Sequence, residues 1–249
     1  MITRKGVNDM KLVMDLHTHT ISSGHAYSTL IENVQVAEKL GFEALATTDH
    51  GPSMPGAPHE YHFYNLLSLP KKMGNVRILR GIEANIIDRH GQLDISLDLV
   101  GRLDIVLAGL HYVCYSGGTV AENSRAMAQA MANPFVDIIV HPGNPEFEIS
   151  PEVIMEAAAK YQCAVEINNS SLVYTRKGSK PFCKKIAQLA REYGTYVSIG
   201  SDAHFVDRVG EFDGAAELLQ EIGMPEELIL NTSQETLDAY LTQRRARRK

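Results

Sequence analysis

The stretch Leu12-Val13-Met14-Asp15-Leu16-His17-Thr18-His19 decides the reading of this chain, because an apolar run ends on two histidines one residue apart. The same order recurs at Ala44–Thr48 before Asp49-His50, at Arg77–Ile82 before Glu83, and at Ile105–Leu110 before His111. It recurs again at Ile138–Val140 before His141, at Ala164–Ile167 before Asn168-Asn169, and at Tyr196–Ile199 before Ser201-Asp202-Ala203-His204. These runs are rich in Val, Ile and Leu and do not alternate strictly, as expected of strands buried on both faces.

Helical stripes lie between them. Leu30, Val34, Ala37 and Leu40 share a face, opened by the capping box Thr29-x-x-Glu32 and ended near Gly41. Val153 to Ala159 follows Ser150-Pro151, a cap residue with proline at the first helical position. Ile186, Leu189, Ala190 and Tyr193 precede Gly194, and Ala215 to Ile222 forms a fourth stripe. Alternation of strand and helix implies parallel strands joined by right-handed crossovers. Seven or eight such units in 249 residues point to an α/β fold with a closed or nearly closed parallel barrel. An open doubly wound sheet is the competitor, but no G-x-G-x-x-G or Walker-type loop is present. Ala84–Asp94, with Asp88-Arg89-His90-Gly91, reads as a turn or small hairpin outside the barrel.

In a parallel barrel the carboxyl ends of the strands converge on one mouth. Seven of the ten histidines fall at or just past such ends: His17, His19, His25, His50, His111, His141 and His204. Residues two apart on a strand face the same way, so His17 and His19 can reach one ion, and Asp202 shares a face with His204. Imidazole with carboxylate suits Zn²⁺, Mn²⁺ or Fe²⁺. Burying so many polar groups without a metal would leave hydrogen bonds unmade. His59, His62 and His90 lack this context and read as surface residues, with His59 or His62 able to rim the mouth.

The motifs His17-x-His19, Thr48-Asp49-His50, Gly81-x-Glu83, His141-Pro142-Gly143 and Ser201-Asp202-x-His204 resemble the polymerase-and-histidinol-phosphatase (PHP) domain family, over the chain from about Lys11 onward. The resemblance implies a distorted, TIM-barrel-like (βα)7 barrel and a trinuclear site, usually of zinc. It implies that His17, His19, Glu83 and Asp202 bind the first ion, and that Glu83 bridges to a second taken by His111 and His141. The third would fall to His25, His50 and His204. The implied function is a phosphatase that hydrolyses small phosphomonoesters with a metal-bridging hydroxide held at Glu83; the lack of a signal peptide or membrane-spanning run makes the cytoplasm the expected location. Asp49 is a candidate to orient a histidine from behind. Arg176 and Lys177 are candidates for a phosphate oxygen.

The remaining features bound this reading. Residues 1–10 read as a flexible leader, with Met10 as an alternative start, and residues 11–249 as one metal-hydrolase domain. The composition, 44% hydrophobic and 22% charged, is that of a globular protein, and no apolar stretch is long enough for a membrane span. The net charge of −6 argues against nucleic acid as partner. Cys114, Cys163 and Cys183 stand apart and read as free thiols. The tail Arg244-Arg245-Ala246-Arg247-Arg248-Lys249 reads as a frayed, solvated helix end, and a homo-oligomer such as a trimer stays open. An amidohydrolase-type barrel shares the opening H-x-H, but it typically carries a bridging lysine where this chain has His111. A nuclease with the same metals and a non-catalytic metal-binding protein also compete with the phosphatase reading.

Overall fold

The computed structural model describes residues 10–248, so most of the expected leader lies outside the described residues. The seven apolar runs form strands of one sheet: β1 (Met14–Asp15), β2 (Ala44–Thr47), β4 (Val76–Asn85), β5 (Ile105–Gly109), β6 (Ile138–Ile139), β7 (Ala164–Asn168) and β8 (Val197–Gly200). They are hydrogen-bonded in that order and all parallel. A short β3 (Lys72–Met73), not anticipated from the sequence, runs antiparallel along β4. The helices are α1 (Leu30–Lys39), α2 (Glu60–Asn65), α3 (Leu97–Val100), α4 (Val120–Ala132), α5 (Pro151–Tyr161), α6 (Asn169–Val173), α7 (Ser179–Tyr193), α8 (Asp213–Glu221) and α9 (Gln234–Ala246). The sheet is a nearly closed barrel.

β1 and β8 do not pair along their length, and the closure is made by other means. At the carboxyl ends Thr18 bridges Ala203, with His19 N donating to Ala203 O at 2.9 Å. At the other end the Asn231 side chain takes the place of a strand. Its Oδ1 accepts from Ile199 N at 2.7 Å, and its Nδ2 donates to Ile199 O at 2.8 Å and to Met14 O at 3.0 Å. The expected turn after β4 is a small hairpin, with Ile86 bridged to Leu93 and the Asp88 carboxylate accepting from His90 N and Gln92 N.

Strand alternation sorts the apolar residues into two cores. Outward-facing Val165, Ile167, Val197 and Ile199 join the helices in the larger one. Inward-facing Met14, Ala46, Leu79, Ile105, Leu107, Ile138 and Ala164 fill the barrel, which is closed below by Leu237, Tyr240 and Leu241 of α9. The basic tail departs from expectation. Arg244 is fully buried and donates to the carbonyls of Tyr161, Asn133 and Val136, Arg245 donates to Asp104 O at 3.1 Å, and Arg248 pairs with buried Asp137 at 3.2 Å. The helix-end carbonyl of Tyr161 and the loop carbonyl of Val136 need donors under the barrel, and a guanidinium offers five N–H groups in one fork.

Candidate metal centre

Above the apolar plug the same inward positions become polar. On β4 the series Leu79, Gly81, Glu83, Asn85 passes from core to mouth, and on β5 Ile105, Leu107 and Gly109 lead to His111. Alternation alone would turn His141 outward after inward-facing Val140. His141 instead adopts φ +34°, and Asp202 adopts φ +55°. Non-glycine residues in this region cost about 1–3 kcal/mol each, a strain concentrated at functional sites. Two glycines supply the room. A Cβ on Gly109 would stand 2.8 Å from His141 Cε1, and one on Gly200 would stand 1.9 Å from Glu166 Oε1.

The donor atoms converge. His17 Nε2 and His19 Nε2 are 3.1 Å apart, each lies 3.4 Å from Glu83 Oε2, and they lie 3.6 and 3.3 Å from Asp202 Oδ1. A tetrahedron with ligands ~2.05 Å from its centre has edges of ~3.3 Å, so these spacings fit one divalent ion. The other oxygen of the same carboxylate, Glu83 Oε1, lies 3.0 Å from His111 Nε2 and 2.8 Å from His141 Nε2. His50 Nδ1 comes within 2.8 Å of Glu83 Oε2, and its ring stacks on that of His25, centroids 5.0 Å apart. His25 Nε2 and His204 Nε2 meet at 3.1 Å. Thus His50 borders both the Glu83 cluster and the His25–His204 pair.

Glu83 tests whether the pocket suits metal. Its Oε2 is buried and receives no hydrogen bond, although three imidazole nitrogens stand within 3.4 Å of it. Ring nitrogens thus converge on a buried carboxylate oxygen that no hydrogen bond satisfies, which fits a cation and would be costly without one. The electrostatics agree. Burial alone would raise Glu83 and Asp202, yet the surrounding histidines, with Arg176 beside Asp202, hold both carboxyls well below their usual range. Burial, with Arg176 beside it, pushes His141 down to about 4, and burial with neighbouring His204 and His50 pushes His19 well down, leaving both as neutral imidazoles. His17 is the exception, because Glu166, Glu83 and Asp202 outweigh its burial and raise it well above its ordinary value.

The far nitrogens of the rings are held in place. His17 Nδ1 meets Glu166 Oε1 at 2.7 Å, His111 Nδ1 meets Asn85 Oδ1 at 2.8 Å, and His19 Nδ1 meets Ser23 Oγ at 3.0 Å. Such partners fix ring orientation and tautomer. Sequence reasoning assigns no role to Glu166, Asn85 or Ser23. The available signal is a carboxylate inside the apolar run Ala164–Ile167, which a buried strand tolerates only with a partner. Arg176 Nη1 donates to Asp202 Oδ2 at 2.9 Å and to Ser171 Oγ at 3.2 Å, and Lys177 lines the same mouth. That mouth is a cavity of about 770 Å³, whose lining includes Met54, Pro55, Leu110, Tyr112 and Val113. His59 caps α2 and His90 is exposed, whereas neither His59 nor His62 lines the mouth.

The family model described as PHP domain matches residues 15–221. The chain belongs to the PHP domain family. A probable phosphatase of Caldanaerobacter subterraneus subsp. tengcongensis is 49% identical to this PHP protein over 98% of this chain and 96% of the relative. A probable phosphatase of Clostridium novyi is 47% identical over 93% and 95%. The histidinol phosphate phosphatase of Lactococcus lactis subsp. lactis, solved with zinc, L-histidinol and phosphate, superposes with a TM-score of 0.58 at 14% identity, covering 85% of this chain and 94% of that one. A chain of archaeal ribonuclease P, solved with mature tRNA, superposes equally at 0.58 with 15% identity, over 93% and 90%. At such identities the likeness is one of fold.

Proposed function

We propose that this PHP protein is a metal-dependent phosphatase that hydrolyses small phosphomonoesters at the barrel mouth. The observation that carries the reading is the Glu83 carboxylate, with one oxygen facing His17 and His19 and the other facing His111 and His141. The names of its near relatives and the zinc and phosphate held by the Lactococcus enzyme support it. In this reading His17, His19, Glu83 and Asp202 hold a first ion, Glu83, His111 and His141 a second, and His25, His50 and His204 a third, with zinc the expected metal. Bound there, the ions would supply Lewis acidity toward phosphoryl oxygens and lower the pKa of water.

The chain's own groups orient the substrate. Arg176 uses only Nη1 in its hydrogen bonds among the described residues, which leaves Nε and Nη2 for a phosphoryl oxygen. Lys177 adds a second cation at the rim. Asp202, clamped by Arg176, is kept from rotating away from His17 and His19. A cavity of this size takes a small ester.

The test is elemental analysis of protein purified without added metal, followed by turnover of p-nitrophenyl phosphate and bis-p-nitrophenyl phosphate. Monoester turnover should vanish on strong chelation and return with zinc or manganese. Full activity in metal-free protein would overturn the reading, and preference for the diester would move it to a phosphodiesterase.

A further inference from the structure

A second cavity, of about 270 Å³, shares no lining residue with the mouth and is bordered by Thr20, Thr47, Asp49, His62 and Leu66. Asp49 is buried between this cavity and the histidine cluster. Its Oδ1 accepts from Thr20 N at 2.7 Å and from Ser23 Oγ at 2.7 Å, and its Oδ2 accepts from Thr20 Oγ1 at 2.8 Å. Ser23 Oγ in turn meets His19 Nδ1 at 3.0 Å and accepts from His50 N at 3.2 Å. On the cavity side, His62 Nε2 stands 3.7 Å from Asp49 Oδ2, and that nitrogen is buried with no hydrogen-bond partner.

Proton counting orders this chain. A serine hydroxyl has one hydrogen. If Ser23 donates it to Asp49, then only its lone pairs are left for His19, and His19 must carry its proton on Nδ1. The Nε2 lone pair then faces His17, Glu83 and Asp202. We propose that Asp49 sets the tautomer of His19 through Ser23, and that the His62 imidazole, facing Asp49 Oδ2 from the second cavity, helps to hold Asp49 in register. All three are positioning residues, acting through His19 without touching substrate. The proposal rests on His19 being a metal ligand, as read above.

Competition of the metal-loaded protein against a fluorescent zinc chelator, with bound metal counted by mass spectrometry, tests it. Partners of ligating histidines typically set metal affinity by ~10–100-fold. Ser23→Ala and Asp49→Asn should each weaken the ion held by His19 within that range, Ser23→Thr should restore it, and His62→Ala should weaken it by a smaller factor that His62→Gln recovers. Wild-type affinity in both Ser23→Ala and Asp49→Asn would overturn the proposal. So would a loss in Ser23→Ala that Ser23→Thr fails to restore while both fold normally. The melting temperature of metal-free protein separates a structural defect, which lowers it without changing affinity in the folded fraction. If wild-type protein binds no metal, the phosphatase reading fails. Long-range ¹H–¹⁵N spectra of the metal-free imidazoles then decide the relay, showing Nδ1-H at His19 in wild type and a mixture in Ser23→Ala, or the same tautomer in both if the relay is wrong.

Discussion

The two ends of the barrel are built from the same strands and solve opposite problems. At the amino ends, Leu79, Ile105, Ile138 and Ala164 interdigitate, α9 seals them, and Arg244 supplies donors to the carbonyls it covers. At the carboxyl ends, Glu83 Oε2 and the Nδ1 atoms of His50 and His141 are buried without hydrogen bonds, and His141 and Asp202 carry left-handed backbone. The amino end leaves scattered atoms unpaired, Arg244 Nε and Thr195 Oγ1, and Gln162 left-handed before β7; the carboxyl end gathers its unpaired atoms and left-handed residues in one cluster. The difference teaches that the lower half stabilises a fold in which the upper half can hold lone pairs together for a cation.

The sharpest way to break this comparison is Glu83→Gln. It should lower phosphatase activity by about a thousandfold, ~4 kcal/mol of transition-state stabilisation, and reduce bound metal. The metal-free melting temperature should fall only modestly, because the carboxylate that the histidines hold ionised is lost while a buried oxygen without a hydrogen bond at Oε2 is relieved. A collapse of metal-free stability would show that Glu83 belongs to the structural half. The complementary changes lie below. Leu107→Ala should destabilise by about 2–5 kcal/mol, and Arg244→Met, which strands buried carbonyls, by about 1–3 kcal/mol, each read by denaturant unfolding. Metal content per folded molecule should be unchanged in both.

The smallest and most diagnostic effect is in pH. In metal-free protein, His141 lies at about 4, below its ordinary value, so folding disfavours its proton. The upper end therefore loses stability as pH falls from about 6.5 toward 4. Asp137 is the reverse: burial, against the pull of Arg248, pushes it up to about 6, so its contribution is present below about 4 and lost as pH rises through 6. Asp137→Asn should thus steepen the net acid loss between pH 4 and 6, and His141→Gln should flatten it. Identical profiles in wild type and both variants would remove the electrostatic contrast between the ends.

Much of this architecture is legible in the sequence. The strand series is readable because buried parallel strands must be apolar, and the clustered donors because most of them directly follow such a run. The strand bounds are less exact. β1 is only Met14–Asp15, since the chain leaves the ladder to deliver His17 and His19, and β4 runs on to Asn85. α4 has no counterpart among the expected helical stripes, although Thr119 and Glu122 form a capping box like that of α1. The tail misleads because a mostly basic sequence looks solvated unless the carbonyls that Arg244, Arg245 and Arg248 meet are known.

The sequence by itself determined the parallel α/β barrel, the mouth on which the histidines gather and the family, because residue order along each strand is also residue height in the barrel. Only the tertiary structure decided which nitrogen faces which oxygen, that Ser23 and Glu166 stand behind the rings, and that Arg244 of the basic tail lies buried. Those are contacts between residues up to about two hundred positions apart, fixed by barrel closure and by two left-handed backbone turns, and no local pattern encodes them.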